Sequence, residues 1–261
     1  MGTIHGGLVS ITFRNLDAEQ IIDLVAESEL KGIEWGGDMH VPHGDTKTAE
    51  QVGEKTRGAG LSVACYGSYY RAGESEAEGL KFADVRDSAR ALGADSIRVW
   101  AGRKGSADAD DAYRQKVRDD LLRISDSAGN FDIAIEMEYH GNTLTDTNDS
   151  AVQLSNAATH PNLYFGWQPP NGQPFDYCLS GLRNIQPRLC HLHVFHWEVT
   201  DEGLDRRPLH EGASRWSGYL QTAEEAPGER FALIEFVRDG KPEQFLEDAA
   251  ALASWLRDVN S

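Results

Sequence analysis

The residues with the widest chemical reach in this chain sit at the ends of short apolar runs. Phe131-Asp-Ile-Ala-Ile-Glu-Met-Glu-Tyr-His-Gly141 ends in two acids and a histidine, Leu163-Tyr-Phe-Gly-Trp-Gln168 in an amide, Leu189-Cys-His-Leu-His193 in two histidines, and Phe231-Ala-Leu-Ile-Glu235 in a carboxylate. Strand side chains alternate faces, so Ile133, Ile135 and Met137 point one way and Ala134, Glu136 and Glu138 the other. An apolar outer face with acids on the inner one suits a barrel strand wrapped by helices. If these runs are neighbouring strands, Glu138, Gln168, His193 and Glu235 converge at one mouth. Oxygen and imidazole donors arranged in three dimensions are what a divalent cation binds.

Within the pairs Glu136/Glu138 and His191/His193, the second member lies nearer the carboxyl end of its strand and is assigned to the site. The first members are given buried structural roles. Arg98 is a candidate partner for Glu34 or Glu136, because buried acids persist when they are paired or metal-bound. Flat aromatic faces stack on C–H surfaces and polar tips order hydroxyls, so His40, Trp100, Trp197 and Arg207 are expected to shape a pocket. His160, His196 and His210 read as surface or loop residues.

The elements that must position these residues alternate along the chain. Strands are expected at Gly7–Thr12, Gly32–Trp35, Leu61–Tyr66, Ser96–Trp100, Phe131–Glu138, Leu163–Gln168, Leu189–His193 and Ala232–Val237. Between them, helices are expected from Asp17 to about residue 30, and over 46–57, 76–92, 108–126, 150–158, 175–182 and 214–223, with a last one starting at Pro242. Gly67–Gly73 reads as an exit loop and 197–212 as a polar excursion. Eight strands alternating with eight helices imply an α/β fold, a (β/α)8 barrel with a parallel sheet, spanning 1–261 as one domain. The first strand-to-helix turn lacks the Gly-x-Gly-x-x-Gly fingerprint of a doubly wound dinucleotide-binding sheet.

Composition narrows the function. The 261 residues are 40% hydrophobic, enough for a full core, and carry a formal net charge of -17. Such a chain is repelled by a nucleic-acid backbone and by an anionic membrane, so neither is expected as a partner. Cys65, Cys178 and Cys190 are odd in number and widely spaced, which suggests small core residues and neither a disulfide framework nor a thiolate zinc site. Without a signal-peptide pattern or a membrane-length apolar run, a cytoplasmic location is expected.

Nearly the whole chain also resembles the xylose-isomerase-like TIM barrels of the sugar phosphate isomerase/epimerase group. The resemblance is carried by Gly32-Ile-Glu-Trp-Gly-Gly-Asp-Met-His-Val-Pro-His-Gly-Asp45, Ile97-Arg-Val-Trp-Ala-Gly102, Glu138-Tyr-His-Gly-Asn-Thr-Leu-Thr-Asp-Thr147, His191-Leu-His193 and Ile234-Glu-Phe-Val237. It implies one divalent ion, Mn²⁺, Mg²⁺ or Co²⁺ with Zn²⁺ also compatible, held by Glu, Asp, His and Glu at positions matching Glu138, Gln168, His193 and Glu235. Gln168 departs from the pattern by standing where an aspartate is usual.

The activity implied is a sugar or sugar phosphate isomerase or epimerase. Glu138 and Glu235 would pass a proton next to a carbonyl through an enediolate, each serving as ligand and as base or acid. The same barrel hosts metal-dependent lyases, dehydratases and deglycosidases of keto-sugars or inososes, and a non-catalytic sugar-binding barrel is the reading from a different class. A small sugar is the expected partner, and the sequence leaves a homo-oligomer open.

Overall fold

The computed structural model describes residues 2–261. Eight parallel strands close into a barrel: β1 (Thr3–Val9), β2 (Gly32–Gly36), β3 (Ser62–Arg71), β4 (Ser96–Trp100), β5 (Ala134–Glu138), β6 (Leu163–Trp167), β7 (Leu189–Val194) and, after the hairpin β8 (Trp197–Thr200) and β9 (Gly203–Arg206), β10 (Glu229–Ile234). Each barrel strand lies beside its sequence neighbour, and β10 closes the ring on β1, with Thr3 opposite Glu229 and Leu8 opposite Ile234. The helices are α1 (Ala18–Glu27), α2 (Thr46–Gly58), α3 (Phe82–Leu92), α4 (Asp111–Gly129), α5 (Asn148–Ala157), α6 (Phe175–Ile185), α7 (Ala213–Glu224) and α8 (Pro242–Val259).

Local chemistry sets these boundaries. Asp17 and Gln20 form a reciprocal capping box that starts α1, and Gly93, in the left-handed region at φ 80°, ends α3. The outward residues Ile133, Ile135 and Met137 are fully buried beneath the helices, as strand parity requires. None of the described helices is long and apolar enough to cross a membrane.

Several expected elements differ. The helix expected from residue 76 begins at Phe82, turns occupying 72–79, and the strand expected from Phe131 begins at Ala134. β1 begins at Thr3 because it pairs along the whole of β10, and Ser10–Phe13 tightens into a 3-10 turn whose Ser10 hydroxyl accepts the Gly36 N–H. The expected exit loop after β3 is strand with a bulge: Gly67 opposes Arg98 and Tyr70 opposes Val99, so Ser68 and Tyr69 are extra residues. Tyr69 takes φ 55° there. β10 stops at Ile234, and Phe236 at φ 52° leaves the extended region. The polar excursion contains the β8–β9 hairpin, turned over Asp201-Glu202.

Candidate metal centre

Glu138 ends β5, His193 lies near the end of β7 and Glu235 follows β10, so all three project at the carboxyl end of the barrel, where barrel enzymes carry their chemistry. All three are buried, and one ligating atom from each lies within 4.8 Å of the others. His193 Nδ1 is 3.6 Å from Glu138 Oε1 and 3.5 Å from Glu235 Oε2. Donors about 2.1 Å from a shared ion at tetrahedral angles stand roughly 3.4 Å apart, so the spacing suits one.

The surroundings fix the donors. His193 Nε2 lies 2.9 Å from Glu34 Oε2 and donates to it, since a carboxylate can only accept. Nδ1 therefore faces the gap between Glu138 and Glu235, and it is a buried atom with no hydrogen-bond partner among the described residues. An imidazole oriented by a carboxylate, with its other nitrogen free, is the usual preparation of a metal-binding histidine. Glu138 is held on its other side: Arg98 and the Trp100 indole N–H both donate to Oε2. Arg98 also donates through Nε to Glu34 Oε1 at 2.7 Å.

The charges point the same way. Glu34, Glu138 and Glu235 face a single arginine, Arg98, so with neutral His193 two negative charges remain. A divalent cation balances them. Burial works against the charge of Glu138, but Arg98 and then His193 hold its carboxyl below the usual carboxylate range. Glu34 is likewise buried, and Arg98 and His193 keep it down at about 2. Burial would lower His193, yet Glu34 and Glu235 more than offset this and raise it well above its ordinary value.

Gln168 reaches the same gap through the wrong atom for a ligand. Its amide nitrogen donates to Glu138 Oε1 and to the Tyr139 carbonyl, both at 2.9 Å. Two acceptors can be served only by the NH₂ end, so in this arrangement Gln168 orients Glu138.

Above these groups opens a cavity of about 360 Å³. Trp100 and Trp197 line it, as expected from sequence, the latter stacked on Phe195 at 3.9 Å. His40 and Arg207 are not among its lining residues. His40 Nδ1 lies 3.0 Å from the Ser10 hydroxyl and Nε2 lies 3.2 Å from the Leu16 carbonyl, because the loop after β2 folds back against the exit of β1. Arg207 stays outside, paired with Glu211 at 2.8 Å and Asp205 at 3.4 Å.

Sequence reasoning overlooked Tyr69, His140 and Phe236, which also line the cavity. Tyr69 and Phe236 enter through positive-φ backbone, which carries no signal in an aromatic residue. His140 could have been found, since it ends the same run as Glu138. Its ring lies over Trp100, centroids 4.6 Å apart.

Comparison with known proteins agrees with this fold. A 3-dehydroshikimate dehydratase from Bacillus anthracis is 27% identical over 161 residues, which are 54% of this chain and 55% of that protein. The chain thus spans about half the length of that curated relative. The crystal structure of the probable 3-DHS dehydratase AsbF of Bacillus anthracis superposes with a TM-score of 0.80 at 20% identity, covering 96% of this chain and 99% of that one. A magnesium complex of a xylose isomerase-like barrel from Mycobacterium smegmatis gives 0.75 at 14% identity over 99% and 98% of the two chains, and D-psicose 3-epimerase with D-fructose gives 0.68 at 13% over 99% and 100%. At such identities the structural likeness is one of fold. The family model of the xylose isomerase-like TIM barrel matches residues 22–259, and the chain belongs to that family.

Proposed function

We propose that the chain is a divalent-metal-dependent enzyme that removes a proton next to a carbonyl of a small polyhydroxylated ketone, and that this proton loss is followed by expulsion of a leaving group, as in a dehydratase. The supporting observation is the unequal state of the two carboxylates. Glu138 has both oxygens engaged, Oε2 by Arg98 and Trp100 and Oε1 by Gln168. Glu235 lines the cavity and makes no side-chain hydrogen bond among the described residues. Glu138 is therefore tied down as a ligand alone, while Glu235, although it also reaches the ion, keeps an oxygen free to act as base, whereas epimerisation by two bases needs a second free group on the opposite face.

Glu138, His193 and Glu235 would hold the ion. When bound it supplies Lewis-acid polarisation of the substrate carbonyl. Glu235 accepts the proton, and His140 at the cavity wall is the group suited to protonate the departing oxygen. Trp100, Trp197 and Phe236 give the cavity flat apolar faces for a ring. Both arginines that line it are already neutralised, Arg98 by Glu34 and Glu138 and Arg14 by Asp38 at 2.6 Å, which favours an uncharged substrate over a phosphorylated one.

An epimerase or isomerase is the second reading, favoured by the position of Glu138 and Glu235 on either side of His193 Nδ1. Mass analysis of products from a panel of keto-sugars and keto-cyclitols in deuterated water separates the two. A product lighter by water or another leaving group supports the lyase. A product of unchanged mass, apart from deuterium at the reacting carbon, supports the epimerase and overturns the first reading.

A further inference from the structure

Five residues other than glycine hold left-handed backbone among the described residues, and three of them, Asp132, Asn142 and Asp239, are of the types that tolerate it. The other two are aromatic, Tyr69 at φ 55° and Phe236 at φ 52°, and both line the cavity. A bulky side chain in that region is strained, and the strain persists only where the surrounding structure over-determines it.

Around Tyr69 it does. Tyr69 is an extra residue of the β3 bulge, between Gly67 opposite Arg98 and Tyr70 opposite Val99. The Ser68 hydroxyl donates to the Arg98 carbonyl at 2.6 Å and accepts the Tyr70 N–H at 3.2 Å. Tyr70 is anchored in turn by its own hydroxyl, which donates to Asp120 at 3.0 Å. Gly67 has no room for a side chain: a Cβ there would stand 2.5 Å from Glu34 Oε1 and 2.8 Å from an Arg98 guanidinium nitrogen. With both flanks pinned, the left-handed turn carries the Tyr69 ring to the mouth of the barrel.

The ring lands on the two groups that hold Glu138. The Arg98 guanidinium lies 5.0 Å from its centroid, and Trp100 meets it in a T-shaped contact, centroids 5.4 Å apart at 81°. Arg98 and the Trp100 indole N–H are the two donors to Glu138 Oε2. Arg71, two residues further along β3, lies over the Trp100 ring at 3.9 Å, so β3 contacts the indole through two side chains. Cation-over-ring and edge-to-face contacts are favourable and directional. Phe236 has other neighbours, Arg206 at 4.5 Å and Trp197 at 6.0 Å.

We propose that Tyr69 is a positioning residue of the mouth centre: its ring braces Arg98 and Trp100 so that both keep donating to Glu138, and the strained backbone is the cost of placing it there. The proposal rests on the reading of Glu138 as a metal ligand. Tyr69 supplies no ligand atom and acts through the two donors.

The full-length protein and its variants are melted without metal and titrated with Mn²⁺ by calorimetry. Y69F keeps the ring and should bind Mn²⁺ like the parent. Y69A and Y69G lose it, and both should bind about tenfold more weakly, the low end of what groups behind a ligand contribute. Their melting temperatures should fall in the reverse of the usual order, Y69G above Y69A, because glycine relaxes the left-handed turn and alanine does not. A side chain that served packing alone would lower stability in both and leave Mn²⁺ affinity where it was. In a W100F background, which removes one of the two donors, the loss caused by Y69A should shrink, since residues acting through one another are not additive. Overturning results are Mn²⁺ affinity in Y69A and Y69G equal to that of the parent, a Y69F protein as weak as Y69A, or Y69A melting above Y69G. A parent protein that takes up no Mn²⁺ overturns the metal centre and this proposal with it, whereas a parent that binds Mn²⁺ beside an unaffected Y69A overturns this proposal alone.

Discussion

His193 donates through Nε2 to Glu34 Oε2 at 2.9 Å, and this bond decides which nitrogen the mouth of the barrel sees. Glu34 stands two strands round the ring from β10 and is not itself among the residues lining the cavity, yet it orients the imidazole and shares Arg98 with Glu138. Carboxylates in this position typically contribute 10- to 100-fold to metal affinity. Glu34→Gln is therefore expected to weaken Mn²⁺ binding by roughly that factor in a calorimetric titration. It should also lower stability by about 3–5 kcal/mol, because Arg98 keeps its burial and loses a partner. Unchanged affinity would remove Glu34 from the site.

The two mouth glutamates should fail differently. Glu235→Gln keeps an oxygen donor near the ion but removes the base, so turnover should fall by about 10²–10⁴-fold and solvent-deuterium exchange should stop while metal is retained. Glu138→Gln instead disrupts the acceptor shared by Arg98, Trp100 and Gln168, and metal should be lost together with activity. Equal metal loss in both variants would contradict the division of labour between them.

Proton and metal compete for the same nitrogen. His193 is raised well above 6.5 in the folded protein, so its contribution to the stability of the metal-free protein is full below 6.5 and is lost as the pH rises through the folded value. Glu34 runs the other way: depressed to about 2, it stabilises fully above its ordinary 4.5 and stops doing so only as the pH falls through about 2. Metal-free protein should accordingly melt at its highest temperature between these limits and lose stability towards alkaline pH. Metal affinity should climb with pH across the same range, by up to about tenfold per unit for one displaced proton, until the His193 proton is gone. Affinity that is flat over this range would mean that Nδ1 is not a donor.

The barrel was legible because each strand carries an apolar run of the right length and each helix an apolar face; the start of α1 at Ala18 follows from Asp17 alone. Parity along β5 also placed Glu136 and Glu138 inward, and the convergence of Glu138, His193 and Glu235 follows from strand order. What could not be read were departures from parity. The bulges that send Tyr69 into the cavity and turn Cys190 inward are set by pairing with a distant strand, so the local sequence does not encode them. The orientation of Gln168 was not legible for another reason: an amide offers a donor and an acceptor on one stem, and only the neighbours, here Glu138 Oε1 and the Tyr139 carbonyl, choose between them. His40 and Arg207 were judged by residue type, but their partners hold them outside the cavity.

Gln168 also provides a test of how the centre is tuned. Replacing its amide by aspartate brings a carboxylate towards Glu138 and the Tyr139 carbonyl, where without metal it meets only acceptors. Metal-free Gln168→Asp should therefore be less stable than the parent by about 1–3 kcal/mol, the cost of leaving buried polar groups without partners. With Mn²⁺ present the added charge becomes an advantage, so affinity should rise and the melting temperature should increase more on loading than it does in the parent. The shorter aspartate also frees Glu138 Oε1 from the amide, which should make Glu138 a better base and shift products towards unchanged mass if the centre can epimerise at all. A Gln168→Asp protein that binds Mn²⁺ no more tightly than the parent would show that this side chain stands beyond reach of the ion, and that Glu138, His193 and Glu235 are the whole protein contribution to it.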